Sequence, residues 1–243
     1  MTKTLLLLCA LAVFSFGKQL HLLTEHNPPW NYKKEGKITG IATQAVKAIA
    51  KEAGDSYTLK ILPWNRAYNM ALQKAAHGVF LTLKTQQRED KFHWIGPLYQ
   101  EKFYLYENKN APTGVTTLQE AKDVSIIDAG PKQNALHQIL QKKGFTNLSF
   151  LSKDIADVTA LAQQKVSLIA LGQTSIKAHC ELTGTDCELF RKLPVVISQK
   201  AFYLAFSKKT DSAVIQRWQK AYEQLQAQNV FQKLWMRFEK EGL

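Results

Sequence analysis

The chain has 243 residues, 45% of them hydrophobic and 21% charged, with 32 Lys and Arg against 20 Asp and Glu and a formal charge of +12. That apolar share excludes a disordered tail, and the length is enough to bury one large core or two smaller ones. The basic excess raises nucleic acid, an anionic membrane surface or an acidic ligand as partners without choosing among them.

Residues 1–17, MTKTLLLLCALAVFSFG, carry Lys3 near the start, an apolar run from Leu5 to Phe16, and small residues Ser15 and Gly17 ahead of Lys18. This is the pattern of a cleavable secretory signal, with the mature chain starting at Lys18 and residing in the periplasm. The alternative is an uncleaved anchor, but the run is shorter than the roughly 20 apolar residues that a span needs. Leu8 before Cys9 speaks against a lipoprotein. Export removes nucleic acid from the partners. It also places Cys180 and Cys187, in CELTGTDC with a turn at Gly184, where a local disulfide is expected. Two free thiols or half of a zinc site are the alternatives.

From Lys18 the chain alternates short β-like runs with helical stretches. QLHLLTE is a strand, a PPW loop follows, and IATQAVKAIAKEAG is a helix stopped by Gly54. YTLKIL is a strand. The helix NRAYNMALQKAAHG after Pro63 is expected to close at Gly78, before the strand VFLTL, the mixed segment TQQREDKFHWIGPL and the strand EKFYLYE. Such alternation implies an α/β unit with a mostly parallel sheet. The polar segment KNAPTG, residues 109–114, resets the pattern. TLQEAK, VSIID, a helix around NALHQILQKKG, LSFL, DIADVTALAQQK and VSLIAL then form a second α/β unit. After the cysteines come strands LPVVIS and AFYLAFS. Asp211 caps a helix with Val214, Trp218, Tyr222 and Leu225 on one face, and a last helix carries Val230, Phe231, Leu234, Trp235 and Phe238.

GxSxG, Walker A, GxGxxG and HExxH motifs are all absent, which removes the common hydrolase, nucleotide-binding and metalloprotease readings. What the chain does carry, in order, is a PP-aromatic loop, the pair Gly36 and Gly40, PW-x-R-A, T-x-x-R-E and WIGPL. With these motifs it resembles the family 3 solute-binding proteins, periplasmic receptors of polar amino-acid ABC transporters, over essentially all of the mature chain. The resemblance implies a type II periplasmic-binding-protein fold: two α/β lobes joined by two crossover strands. One lobe would comprise residues 18–107 and 197–243, the other 108–196, with ligand between them favouring closure.

By the same resemblance, Arg88 of T-x-x-R holds a ligand carboxylate, which a planar guanidinium does with two parallel hydrogen bonds. A structural pairing of Arg88 with Glu89 or Asp90 is the alternative. Thr82 adds a hydroxyl, although Leu81 and Leu83 make this wall more apolar than in amino-acid receptors. Gly130 and Pro131 sit at a strand-to-helix junction, Pro131 suiting the first helical turn, and free N–H groups there form an anion site flanked by Asp128 and Gln133. In VSLIALGQTS the family's ammonium-binding Asp is missing, and Gly172 and Gln173 stand there. Either Glu25 or Asp128 takes the role, or the ligand is not an ordinary α-amino acid, because an unpaired ammonium in a closed cleft is costly.

Trp30 of the PPW loop is placed in the cleft. Trp64 and Trp94 belong to cleft or core, Trp218 and Trp235 to the core, and Arg66 to the cleft rim or the surface. Arg66 and Lys84 are expected to bias the cleft toward anions. The whole reads as a monomeric binding protein without cofactor or chemistry, capturing a small polar, carboxylate-bearing ligand for an ABC permease in the inner membrane. Two alternatives stand beside it. One is a cyclohexadienyl or arogenate dehydratase-like enzyme on the same scaffold, for which the sequence shows no identifiable general acid. The other is a ligand receptor for a membrane sensor.

Overall fold

The structure, a computed structural model, describes residues 19–130, 134–150 and 156–241. The expected signal segment, Pro131 and Gln133 lie outside these residues. The chain begins with β1 (Leu20–Thr24), β2 (Tyr32–Lys34), β3 (Lys37–Thr39), α1 (Ile41–Ala53), β4 (Tyr57–Ile61), α2 (Trp64–Gln73), β5 (His77–Leu83) and β6 (Phe92–Asn108). It continues with β7 (Ile127–Asp128), α3 (Ala135–Lys142), β8 (Leu148–Ser149), α4 (Ala156–Ala162), β9 (Leu168–Gly172) and α5 (Ser175–Thr183). It ends with β10 (Phe190–Ser207), α6 (Ser212–Ala227) and α7 (Val230–Glu241).

α1 buries Ile41, Ala42, Ala45, Val46 and Ile49, a stripe at helical spacing, and Gly54 in the left-handed region ends it by donating to the carbonyls of Ala50 and Lys51. α2 stops earlier than the sequence suggests, at Gln73. Gly78 is not its terminator but lies inside β5, where a Cβ would come within 2.9 Å of the Phe206 ring, so the glycine serves close strand packing. Asp211 does cap α6, accepting from the Ala213 N–H at 2.8 Å.

The strands form one sheet in the order β4-β1-β5-β10-β6-β9-β7-β8, with β2 and β3 as a separate hairpin. β4, β1 and β5 are parallel, as are β8, β7 and β9. LPVVIS and AFYLAFS are parts of one strand, β10, and WIGPL and EKFYLYE are parts of β6. These two pair antiparallel along their length with register shifts. Over Phe202–Phe206, β10 also pairs with β5, whereas β6 pairs with β9 over Phe103–Tyr106. Two α/β lobes are thereby joined by two long strands, the expected architecture.

One core gathers Phe80, Phe206 and Trp218 beneath α1, α6 and α7, and another packs Val158, Leu161, Ile169 and Phe190. The segment after β6 is fastened by the buried Glu107 carboxylate, which accepts from the Thr113 N–H and Oγ1 at 2.7 Å each and from Arg191 Nε at 2.8 Å. Cys180 and Cys187 form the expected disulfide, tying α5 to the turn that enters β10, with Cα atoms 5.6 Å apart. Among the described residues no helix is long and apolar enough to cross a membrane.

Candidate functional site

Parallel strands in an α/β sheet deliver loop residues to their carboxyl ends, where ligands gather. Here the ends of β1, β5, β7 and β9 open onto a cleft of about 910 Å³, including the solvent at its mouth. Glu25 follows β1, Arg88 follows β5, Asp128 ends β7 and Gly172 ends β9, and all four line it. Glu101, Phe103 and Phe202 reach it from the long strands β6 and β10.

Arg88 is the focus of the wall on the β5 side. It is only 3% exposed, its guanidinium lies 5.1 Å from the ring centres of both Trp64 and Tyr68, and its Nη1 donates to the Leu83 carbonyl at 3.5 Å. Both rings pack against the guanidinium, which restricts where it can move. Burial lowers its pKa from the ordinary arginine value, opposed by nearby Tyr68 and Glu25. Glu89, named above as an alternative partner, pairs with Lys84 at 3.1 Å.

Trp30 is both cleft wall and core pillar. It stacks on Trp235 at 5.8 Å and meets Phe202 and Tyr99, while its Nε1 donates to Ser175 Oγ at 3.2 Å on the opposite side. Gly130 lines the cleft at φ +80°, a conformation that favours glycine, and a Cβ there would lie 2.8 Å from Asn134 Nδ2. The helix expected around NALHQILQKKG follows as α3, capped by Asn134, which accepts from the Leu136 N–H at 2.8 Å. The first-turn role expected of Pro131 falls outside the described residues. The start of α3, through Ala135 and Leu136, still faces the cleft. Asp128 accepts from the Gly130 N–H at 3.3 Å and from Ser149 Oγ at 3.4 Å, so it shapes this turn.

The structure brings Arg88, Trp30, Glu25, Trp64, Asp128 and Gly130 together. It does not bring Thr82, Arg66 or Gln173, whose side chains lie elsewhere for reasons of periodicity. In β5, Leu81 and Leu83 take the cleft side, which turns Thr82 away to donate to the Val79 carbonyl at 3.2 Å. In α2 the inward face is Trp64, Ala67 and Ala71, so Arg66 is exposed. Gln173 follows the buried Gly172 and points outward, its Oε1 accepting from Lys192 Nζ at 3.4 Å. Trp94 is also outside the lining and donates to the Glu89 carbonyl at 2.8 Å. The expected anionic bias from Lys84 and Arg66 fails, since neither lines the cleft.

Two acids of the lining escaped the sequence reading. Glu101 is 4% exposed, and its Oε1 accepts weakly from the Thr174 N–H at 3.4 Å. No described residue bonds to its Oε2. Burial pushes its carboxyl up to about 7, against the lowering effect of hydrogen bonds from Thr174. A signal did exist in β6, where Glu101, Phe103 and Leu105 are buried and Gln100 and Lys102 exposed: an acid on the apolar face of an alternating strand. Asp157 of α4 is the second, with its carboxylate oxygens 3.1 and 3.2 Å from Nδ1 of His179. The described lining thus sets four carboxylates, one of them beside a histidine, against one guanidinium in a chain of +12. Among the described residues no cluster of His, Cys, Asp and Glu is arranged to hold a metal.

The fold is shared with known structures of low identity. A histidine kinase sensor domain with similarity to periplasmic binding proteins superposes with a TM-score of 0.81 at 11% identity, covering 90% of this chain and 95% of that one. The arginine-, lysine-, histidine-binding protein ArtJ from Geobacillus stearothermophilus gives 0.77 at 15%, covering 90% and 94%. AbpA from Streptococcus pneumoniae Canada MDR_19A, an amino acid ABC transporter substrate-binding protein solved bound to L-arginine, gives 0.74 at 20%, covering 90% and 93%. Curated proteins yielded no match. At the level of sequence families, residues 20–240 match the bacterial extracellular solute-binding proteins, family 3, and the chain belongs to that family.

Proposed function

We propose that the protein is a periplasmic receptor that closes on a small polar molecule bearing a carboxylate, an amino acid or analogue, and passes it as a monomer to an ABC permease of the inner membrane. The observation that carries this reading is Arg88, a buried guanidinium packed against the adjoining rings of Trp64 and Tyr68 at the wall of a cleft. Family membership and the fold of amino-acid-binding neighbours support it. Residues 1–17 serve as the export signal. One lobe consists of residues 18–107 and 197–243 and the other of 108–196, with the hinge inside β6 and β10. β10 pairs with β5 only from Phe202 onward and β6 with β9 only from Phe103 onward, which supports that hinge. No cofactor enters this reading.

A thermal-shift screen over amino acids, small carboxylates and amines tests it. A carboxylate-bearing compound stabilises the wild type, because binding to the folded state alone raises its stability. Arg88→Ala abolishes that shift while keeping the unliganded fold. An unchanged shift in the variant removes Arg88 from the site.

Two further readings each have one observation in their favour. Glu101 is a buried acid that holds its proton near neutrality, the kind of group a dehydratase on this scaffold requires. Turnover of prephenate or arogenate by the purified protein decides for that enzyme. The likeness to a histidine kinase sensor domain favours a receptor that reports to a membrane sensor, which a pull-down with liganded protein separates from a permease partner.

A further inference from the structure

The cleft has a single buried guanidinium among its described residues but several acids, and these acids are not equivalent. Asp128 is occupied by the Gly130 N–H and Ser149 Oγ, Asp157 by His179, and Glu25 lies near enough to Arg88 to raise its pKa. Glu101 differs from all three. One of its oxygens has no bond to any described residue although the side chain is 96% buried, and it stands in the cleft wall on a strand that joins the lobes. A buried polar atom without a partner is costly, and a ligand group can supply the partner. Gly172 makes the room: a Cβ at that position would sit 3.0 Å from Glu101 Cγ and Cδ.

We infer that Glu101 is the cation subsite of the cleft: its carboxylate receives the ammonium or guanidinium of the ligand and releases a proton to water as it does so. This rests on the reading above, in which Arg88 anchors the ligand carboxylate. The ligand class is then a zwitterion or a cationic amino acid, not a dicarboxylate or a hydroxy acid. Before the ligand arrives burial favours the protonated, neutral carboxyl, which lessens the cost of enclosing it. The arriving cation favours the ionised form, so one O–H bond breaks, the proton leaves to solvent, and a charge-assisted pair forms.

The charged and titratable groups around Glu101 come from several elements. Tyr106 is on its own strand, His179 on α5 with Asp157 on α4, Asp128 at the end of β7, and Glu25, His26 and Arg88 lie in the opposite wall. The pH dependence of the wild type must therefore be compared with that of a variant lacking only the Glu101 charge.

Titration calorimetry on the whole mature protein with L-arginine, L-lysine and L-glutamine, beside 5-aminovalerate, 2-hydroxyglutarate and succinate, provides the test. The expected result is binding by at least one amine-bearing probe, with affinity rising about thirtyfold from pH 5.5 to 8.5 and about one proton released per ligand at pH 6. Proton release is read from the dependence of the heat on buffer ionisation. Glu101→Gln keeps the shape, lowers that affinity at least tenfold at pH 8.5 and abolishes most of the release. Preference for succinate or 2-hydroxyglutarate over every amine overturns the inference, as does pH-independent binding or proton release unchanged in Glu101→Gln. Failure of all amines also overturns it. The Arg88 anchor is judged separately, because Arg88→Ala removes binding of carboxylate probes whether or not they carry an amine.

Discussion

Glu101 and Gly172 occupy one another's space: a Cβ built on Gly172 would lie 3.0 Å from Cγ and Cδ of Glu101 and 3.1 Å from its Oε2. The two residues come from adjacent antiparallel strands, β6 and β9. The acid thus occupies the volume that a side chain on the strand end would otherwise fill.

Gly172→Ala follows from this directly. Overpacking a filled interior costs about 1–3 kcal/mol, and here the strain falls on the Glu101 side chain. Made in a Glu101→Ala background, the same substitution costs under about 0.5 kcal/mol, so the two changes are strongly non-additive. Chemical denaturation of the four proteins gives the coupling. Additive costs dissociate Gly172 from Glu101.

A pH dependence of stability comes from the same carboxyl. Burial raises its pKa to about 7 in the folded protein, from 4.5 for an ordinary glutamate. The folded state therefore holds a proton that the unfolded chain has lost between these values, and stability falls as pH rises through this window. The contribution is about 3 kcal/mol between pH 4.5 and 7. Denaturation of the unliganded protein across this range, compared with Glu101→Gln, isolates it: the variant lacks the decline. Equal slopes for the two proteins contradict the burial-raised pKa.

Arg88→Lys keeps the charge but loses the fork. A lysine ammonium cannot donate two parallel hydrogen bonds to a carboxylate, and it is more strongly hydrated than the guanidinium that packs against Trp64 and Tyr68. Affinity for any carboxylate ligand that stabilises the wild type should drop by about 1.5–3 kcal/mol, the scale of a lost charged hydrogen bond. Calorimetry measures it, and an unchanged affinity means that charge alone is used there.

The elements, their order and the two-lobed arrangement were legible because they depend on local periodicity: the stripe of α1, the stop at Gly54 and the Asp211 cap all appear as read. So were Arg88 and Trp30, which lie just beyond strand ends or in a distinctive loop. Thr82 and Gln173 were misplaced by one position of alternation, since their neighbours Leu83 and Gly172 take the inward side. Glu101 was invisible as a site residue for a different reason. Its role depends on strand β9 pairing beside it and leaving a glycine opposite, a relation between positions 71 apart in the chain. Only the alternating burial of β6 hinted at it.

Trp30→Phe tests how the cleft stays shut. Trp30 Nε1 reaches Ser175 Oγ at 3.2 Å, linking the PPW loop of one lobe to the start of α5 in the other, while the ring stays stacked on Trp235. Phe keeps an aromatic ring in that cluster and removes the donor. A neutral hydrogen bond is worth about 0.5–1.5 kcal/mol, enough to shift a lobe equilibrium several-fold toward the open form without threatening the fold. The unliganded variant should show a larger radius of gyration by small-angle scattering, and saturating ligand should bring both proteins to the same value. Ligand affinity falls by the same factor as the closed population, because ligand must now restore what the bond supplied. Ser175→Ala produces the same change, and the double variant adds nothing further, since either substitution alone breaks the one bond. A radius of gyration equal to the wild type in both single variants assigns closure to contacts other than this bond.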